Sequence, residues 1–100
     1  MKAEIRHMVV FKLKHPKGSE EEKKFLDDSE VILGAIPYAK RFMVCQEVSP
    51  KNDFDYGFSF DFMAQEDYEK YNADPRHVDY VKERWLKEVT DFMEVDLRQV

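Results

Sequence analysis

The side chains best suited to proton transfer near neutral pH are three histidines and a group of tyrosines. The histidines are His7, His15 and His77, and Tyr71 stands six positions before His77. An imidazole with an ordinary pKa of ~6.5 accepts a proton at neutral pH, and a tyrosine hydroxyl can donate a hydrogen bond to a developing oxyanion. The histidines form no local ligand pair and the single cysteine, Cys45, has no partner near it in sequence, so no metal site is predicted.

The composition predicts one small folded domain that covers residues 1–100. The chain is 43% hydrophobic and 14% aromatic, which is enough apolar material for one core. A net charge of -5 argues against a nucleic-acid or anionic-membrane partner. The sequence contains neither a signal-peptide-like apolar run at its start nor the ~20 apolar residues of a membrane span, so a cytoplasmic protein is expected.

The first part of the chain predicts a strand followed by a helix. Residues 5–14 alternate with period two, so that His7, Val9 and Phe11 share one face. Ser19 and Glu22 form a capping box that begins a helix over 20–33, and Gly34 is placed to end it.

The remaining elements complete a βαββαβ order. Strands are predicted over 40–48 and 55–63, a helix over 65–73, and a final strand over 92–100. Asp74 and Pro75 read as the N-cap and first residue of one more helix. That helix has an apolar stripe at 78, 81, 85 and 89. The fold class is therefore α+β, a ferredoxin-like four-stranded antiparallel sheet with its helices on one face.

Two strands are apolar on both faces, which predicts a homodimer. Val9 and Phe11 stand against Met8 and Val10 in the first strand, and the second strand repeats the pattern at 42–45. Helices on one side leave the other apolar face in water, at ~25 cal/mol per Å². A second copy packed against this face would cover it, whereas the alternative is a monomer with scattered exposed apolar residues.

Four segments in order resemble the stress-responsive A/B barrel (Dabb) domain family. They are HMVVFKLK at 7–14, EVSP at 47–50, the aromatic strand that starts at Asp55 and Tyr56, and YNADPRH at 71–77. The last segment is similar to the family motif Y-x-x-H-P-x-H at the junction of two helices. The resemblance implies a dimeric α+β barrel with a small-molecule cavity between the sheet and helices of each subunit.

The resemblance also implies candidate site residues. In cyclase members of the family a tyrosine and a histidine of the last motif are catalytic, and by position these are Tyr71 and His77. His77 would act as general base and Tyr71 as hydrogen-bond donor, with no metal or organic cofactor. The expected pocket-lining residues are His7, Val9, Phe11, Phe58 and Trp85.

Several interpretations remain open at this point. The family includes polyketide cyclases, stress proteins and proteins of unknown role, so the fold does not decide the function. The pocket could serve a binding protein for a small apolar or aromatic ligand, a cofactor-free cyclase or lyase, or, by fold analogy alone, a cofactor-independent monooxygenase. His77, Tyr71 and His7 could equally be structural residues. The chain departs from the family pattern at Asp74, where histidine is common, and at Phe58, where some cyclases have a polar group.

Overall fold

The computed structural model describes residues 4–100 and has the predicted order of elements. The strands are β1 (Ile5–Leu13), β2 (Lys40–Gln46), β3 (Tyr56–Phe62) and β4 (Val89–Leu97). The helices are α1 (Glu20–Gly34), α2 (Gln65–Ala73), α3 (Pro75–Tyr80) and α4 (Leu86–Glu88), and a π-helical turn, Val81–Trp85, joins the last two. Residues 1–3 of the predicted domain lie outside the described residues.

The strands form one antiparallel sheet in the order β2-β3-β1-β4. Along β1 the residues at odd positions, from Ile5 to Leu13, are buried, while those between them are half-buried or exposed. The helices therefore cover one face of the sheet, as the alternation predicted. The core lies between them and is largely aromatic, with the Phe11, Phe25 and Phe62 side chains fully buried.

The sheet face opposite the helices, called the open face here, carries a band of apolar side chains. The register pairs Met8 with Val95 and Val10 with Met93 across β1 and β4. Met93 is 51% exposed and Met43, on β2, is also 51% exposed. In a single chain this band stands in water, which is unusual for a patch of this extent.

The α1 helix begins as predicted and ends one residue later. The Ser19 Oγ accepts from the Glu22 backbone N–H at 3.2 Å, while the Glu22 carboxylate accepts from the Gly18 N–H at 2.9 Å. Gly34 is the last helical residue, and Ala35 caps the helix in a right-handed conformation. The next amide, at Ile36, still bonds to the Leu33 carbonyl, which extends the last turn.

The predicted apolar stripe on the last helix is wrong in part. Val78 is 48% exposed, whereas Tyr80, which the stripe omitted, is 4% exposed. The π-helical turn is the physical reason, since its hydrogen bonds join residues five apart, such as Leu86 N–H to the Val81 carbonyl. Tyr80 and Trp85 are five residues apart and therefore both face the core.

The last strand begins at Val89, three residues before the predicted start. Leu13 pairs with Val89, next to an irregularity between Lys12 and Leu13, and the Lys14 N–H donates to the Glu88 carbonyl at 2.8 Å. These backbone bonds extend the sheet to the end of α4. Thr90 and Asp91 are both polar, so this part of the strand does not show the alternation of apolar and polar residues.

Candidate functional site

A cavity of about 280 Å³ lies between the helix-covered face of the sheet and the segment from α2 to α4. Seven of the fifteen residues that line it are aromatic: Phe58, Phe60, Tyr68, Tyr71, Tyr80, Trp85 and Phe92. The polar side chains that reach it are His7, Asn72, His77 and Glu94. The cavity therefore combines a large apolar surface with a few polar groups, which is typical of small-molecule sites.

His77 and Tyr71 meet at the junction of α2 and α3. Asp74 creates this junction as N-cap, because its carboxylate accepts from the Arg76 backbone N–H at 2.9 Å. The two ring centroids of Tyr71 and His77 are 4.5 Å apart, and both residues line the cavity. The sharp change of direction at Asp74 brings the two helices' side chains to one site.

The hydrogen bond of His77 assigns its tautomer. Its Nδ1–H donates to the Asn72 carbonyl at 3.3 Å, which leaves Nε2 as the proton acceptor of the neutral ring. Burial lowers the pKa of His77, and the Asn72 carbonyl opposes that effect only in part. The imidazole is therefore held neutral near pH 7, in the form that a general base needs.

A second polar group, formed by His7, Asp96 and Tyr68, lies on the β1–β4 side of the cavity. The His7 Nδ1 is hydrogen-bonded to Asp96 Oδ1, and the Tyr68 hydroxyl donates to Asp96 Oδ2 at 2.8 Å. The His7 side chain is 8% exposed, whereas that of Asp96 is 44% exposed. Asp96 therefore orients a buried imidazole from the edge of the cavity, as carboxylates commonly do for functional histidines.

The sequence analysis did not identify Tyr68, Asp96 or Glu94 as site residues. The signal was present in β4, where Glu94 and Asp96 alternate with Met93 and Val95. Period-two alternation puts the two acids on one face, and pairing with β1 puts that face under the helices. The predicted final strand assigned no face to these two acids, and so their position was missed.

Among the predicted pocket-lining residues, Phe11 has a different place. His7, Val9, Phe58 and Trp85 all line the cavity. Phe11 instead lies below it, fully buried, with its ring centroid 4.7 Å from that of Phe58 and 5.0 Å from that of Trp85. The Phe58 and Trp85 side chains contact Phe11 and themselves line the cavity, so Phe11 supports the floor without reaching the space.

The third histidine lies away from this cavity. His15 Nε2 is 2.7 Å from Glu88 Oε1, and Glu88 also accepts from Arg84 at 2.6 Å. No group of three or more metal-binding side chains occurs within residues 4–100. In the same range there is no helix of the length and apolar character that a membrane crossing requires.

The buried tyrosines predict a loss of stability at alkaline pH. Burial raises the pKa values of Tyr71, Tyr80 and Tyr68 above the ordinary 10.0. Because the unfolded chain ionises first, the stability that these neutral hydroxyls contribute is complete below about pH 10 and falls as the pH rises above it. Absorbance near 295 nm should show these tyrosines ionising together with unfolding monitored by circular dichroism. Normal titration of all five tyrosines before any loss of ellipticity would contradict this account.

The sheet order, the helices on one face and the cavity between them define a ferredoxin-like α+β protein. The family model for the stress responsive A/B barrel domain matches residues 5–99. The chain therefore belongs to the Dabb family, and the resemblance seen in the sequence is confirmed.

Solved structures agree with this assignment. The chain is similar to a Dabb family protein with a ferredoxin-like fold from Mesorhizobium loti, with 44% identity, a TM-score of 0.96 and 99% of each chain covered. A dimeric protein of unknown function from Bacteroides fragilis has 20% identity and a TM-score of 0.74, with 95% of each chain covered. Hydroxynitrile lyase from Passiflora edulis has 14% identity and a TM-score of 0.80, covering 96% of this chain and 93% of its own. The last two share the fold alone. No curated protein matches the sequence.

Proposed function

We propose that this Dabb protein is a homodimer that binds one small aromatic or apolar molecule in the cavity of each subunit. The observation that carries the binding function is the meeting of His7, Tyr71 and His77 at one aromatic-walled space of about 280 Å³. Ligand pockets commonly enclose ~300–1,000 Å³, so the space suits a single ring with a short substituent.

The open face supports the dimer. Its apolar band is continuous across β1 and β4, with Met93 51% exposed and Leu97 50% exposed. Packing the open faces of two chains together would remove these side chains from water. The related fold from Bacteroides fragilis is described as dimeric, which agrees with this arrangement.

A second candidate function is cofactor-free lyase or cyclase chemistry. His77 would accept a proton from a bound substrate at Nε2, and Tyr71 would donate a hydrogen bond to the oxyanion that develops. The favourable observation is that Tyr71 lines the cavity beside His77 and that its hydroxyl makes no hydrogen bond among the described residues. The Passiflora edulis hydroxynitrile lyase shows that a lyase can have this fold.

A thermal-shift screen of aromatic fragments tests the binding function. We expect some fragments to raise the melting temperature of the wild-type protein and to lose most of that effect with His77→Ala. His15→Ala is the matched control, because His15 contacts Glu88 outside the cavity. If the fragments stabilise both variants equally, His77 is not part of the binding site. For any fragment that is also turned over, His77→Ala should lower the rate by about 10²–10⁴-fold.

A further inference from the structure

The cavity carries an excess of negative charge. Glu94 on β4 lines it, and among the described lining residues there is no lysine or arginine. Within residues 4–100, Glu94 makes no salt bridge. Its charge favours the protonated form of His77, against the stronger effect of burial that lowers the His77 pKa, and it adds to the raised pKa of Tyr68. Glu94 therefore places a negative charge on the solvent-exposed side of the cavity, and none of the described residues supplies a cation to neutralise it.

The other charged groups around the cavity do not reverse this sign. Asp96 and His7 form a pair whose charge is zero when the imidazole is protonated and negative when it is neutral. Asp74 is paired with Arg76 at 2.8 Å, and Arg98, which follows the end of β4, is paired with Glu4 at 2.9 Å. When the Glu94 carboxylate is included, the net charge of these groups is negative whether His7 is protonated or neutral.

The walls favour the same kind of ligand. Aromatic ring faces attract cations through their quadrupoles, and the effect grows when the cation is removed from water. Tyr71, Tyr80 and Trp85 are buried residues that present rings to the cavity. A carboxylate here would face π-electron density and the Glu94 charge without a cation to pair with, which is costly.

On the basis of the proposed binding function, we infer that the cavity selects amine-bearing aromatic molecules, bound as cations, over the corresponding carboxylates. Glu94 is the residue that determines this specificity, by pairing with the ammonium group at the β4 side while the ring packs among the aromatic side chains. A neutral molecule of the same shape binds with intermediate affinity, because it loses the ion pair without incurring repulsion.

Three probes of similar size test the inference: phenethylamine, phenethyl alcohol and phenylacetate. Dissociation constants are measured by NMR titration near pH 8. In the wild-type protein we expect the amine to bind about tenfold more tightly than the carboxylate, with the alcohol between them. Glu94→Gln should bring the ratio of amine to carboxylate affinity below about threefold while the alcohol affinity stays the same.

The control variant is Glu30→Gln, which removes the same charge from an exposed position on α1. Glu30→Gln should keep the wild-type order of the three affinities. A change in that order would mean that the net charge of the protein, and not Glu94 in particular, determines the preference. A carboxylate that binds as tightly as the amine, or a ratio that Glu94→Gln does not alter, overturns the inference. If the alcohol binds and the amine does not, the inference about charge is overturned but the proposed binding function stands. If none of the three probes binds, the proposed binding function is contradicted as well.

Discussion

Val10→Glu is expected to convert the proposed dimer into a monomer at micromolar concentration. Val10 lies on the open face, where it pairs with Met93 of β4 and Gly57 of β3. Each unpaired carboxylate buried between two sheets costs about 3 kcal/mol or more. In a twofold-symmetric dimer the substitution is present in both subunits, so the cost is incurred twice. The dissociation constant should therefore rise by roughly 10⁴-fold. Sedimentation velocity measures the change directly, since the monomer has a mass of 12.0 kDa.

Val31→Glu is the matched control for this experiment. Val31 lies on α1 and is 73% exposed, so the same chemical change should leave the association intact. Met93→Glu is a second open-face variant and protects the test against a folding defect at Val10. Dimers that persist in both open-face variants, with normal circular dichroism, would contradict the proposed interface.

Phe11→Ala should lower the free energy of unfolding by about 4 kcal/mol. The side chain is fully buried and its ring packs against Phe25, Phe58 and Trp85. Removing a buried phenylalanine loses its transfer free energy and leaves a space that the neighbours fill only in part, which typically costs about 3–5 kcal/mol. Urea unfolding at one fixed protein concentration measures the loss.

Phe92→Ala makes the same chemical change at the rim of the cavity. Phe92 is 47% exposed and contacts the Trp85 ring, so we expect a loss of about 1 kcal/mol. This difference distinguishes the floor of the cavity from its mouth. Similar losses for the two variants would mean that Phe11 is not the support on which Phe58 and Trp85 rest.

The sheet and the first helix could be predicted from sequence because each has a local physical signal. In β3 the aromatic residues Phe58, Phe60 and Phe62 alternate with small or polar ones. In a sheet that is covered on one face, this alternation indicates a strand whose aromatic side chains all lie on the same face. Ser19 satisfies a free amide at the start of α1, which fixed that boundary to the residue. Both signals depend on neighbours a few positions away.

The π-helical turn could not be predicted in this way. A stripe drawn with 3.6 residues per turn placed Val78 inside and left Tyr80 out, whereas the five-residue spacing of Tyr80 and Trp85 reverses this. That spacing is stabilised by long-range packing, including the 2.6 Å hydrogen bond between the Tyr80 hydroxyl and Ser29 Oγ. Contacts between residues 51 positions apart leave no trace in a local pattern.

About half of the residues of the candidate site could be predicted from the sequence. The helix-junction motif indicated Tyr71 and His77, and the alternation of β1 indicated His7 on the same side of the sheet. Asp96 and Glu94 were missed, because their placement depends on the pairing of β4 with β1, which joins the two ends of the chain. The charge of the cavity, and with it the expected ligand class, therefore became visible only in three dimensions.

If the cavity between sheet and helices is the functional site, the three histidines of the chain report on ligand binding separately. Imidazole carbon–proton spectra are recorded while a screened aromatic ligand is added to saturation. We expect the signals of His7 and His77 to move together with one dissociation constant while that of His15 stays in place. Movement of the His15 signal alone, with those of His7 and His77 unchanged at saturation, would contradict it.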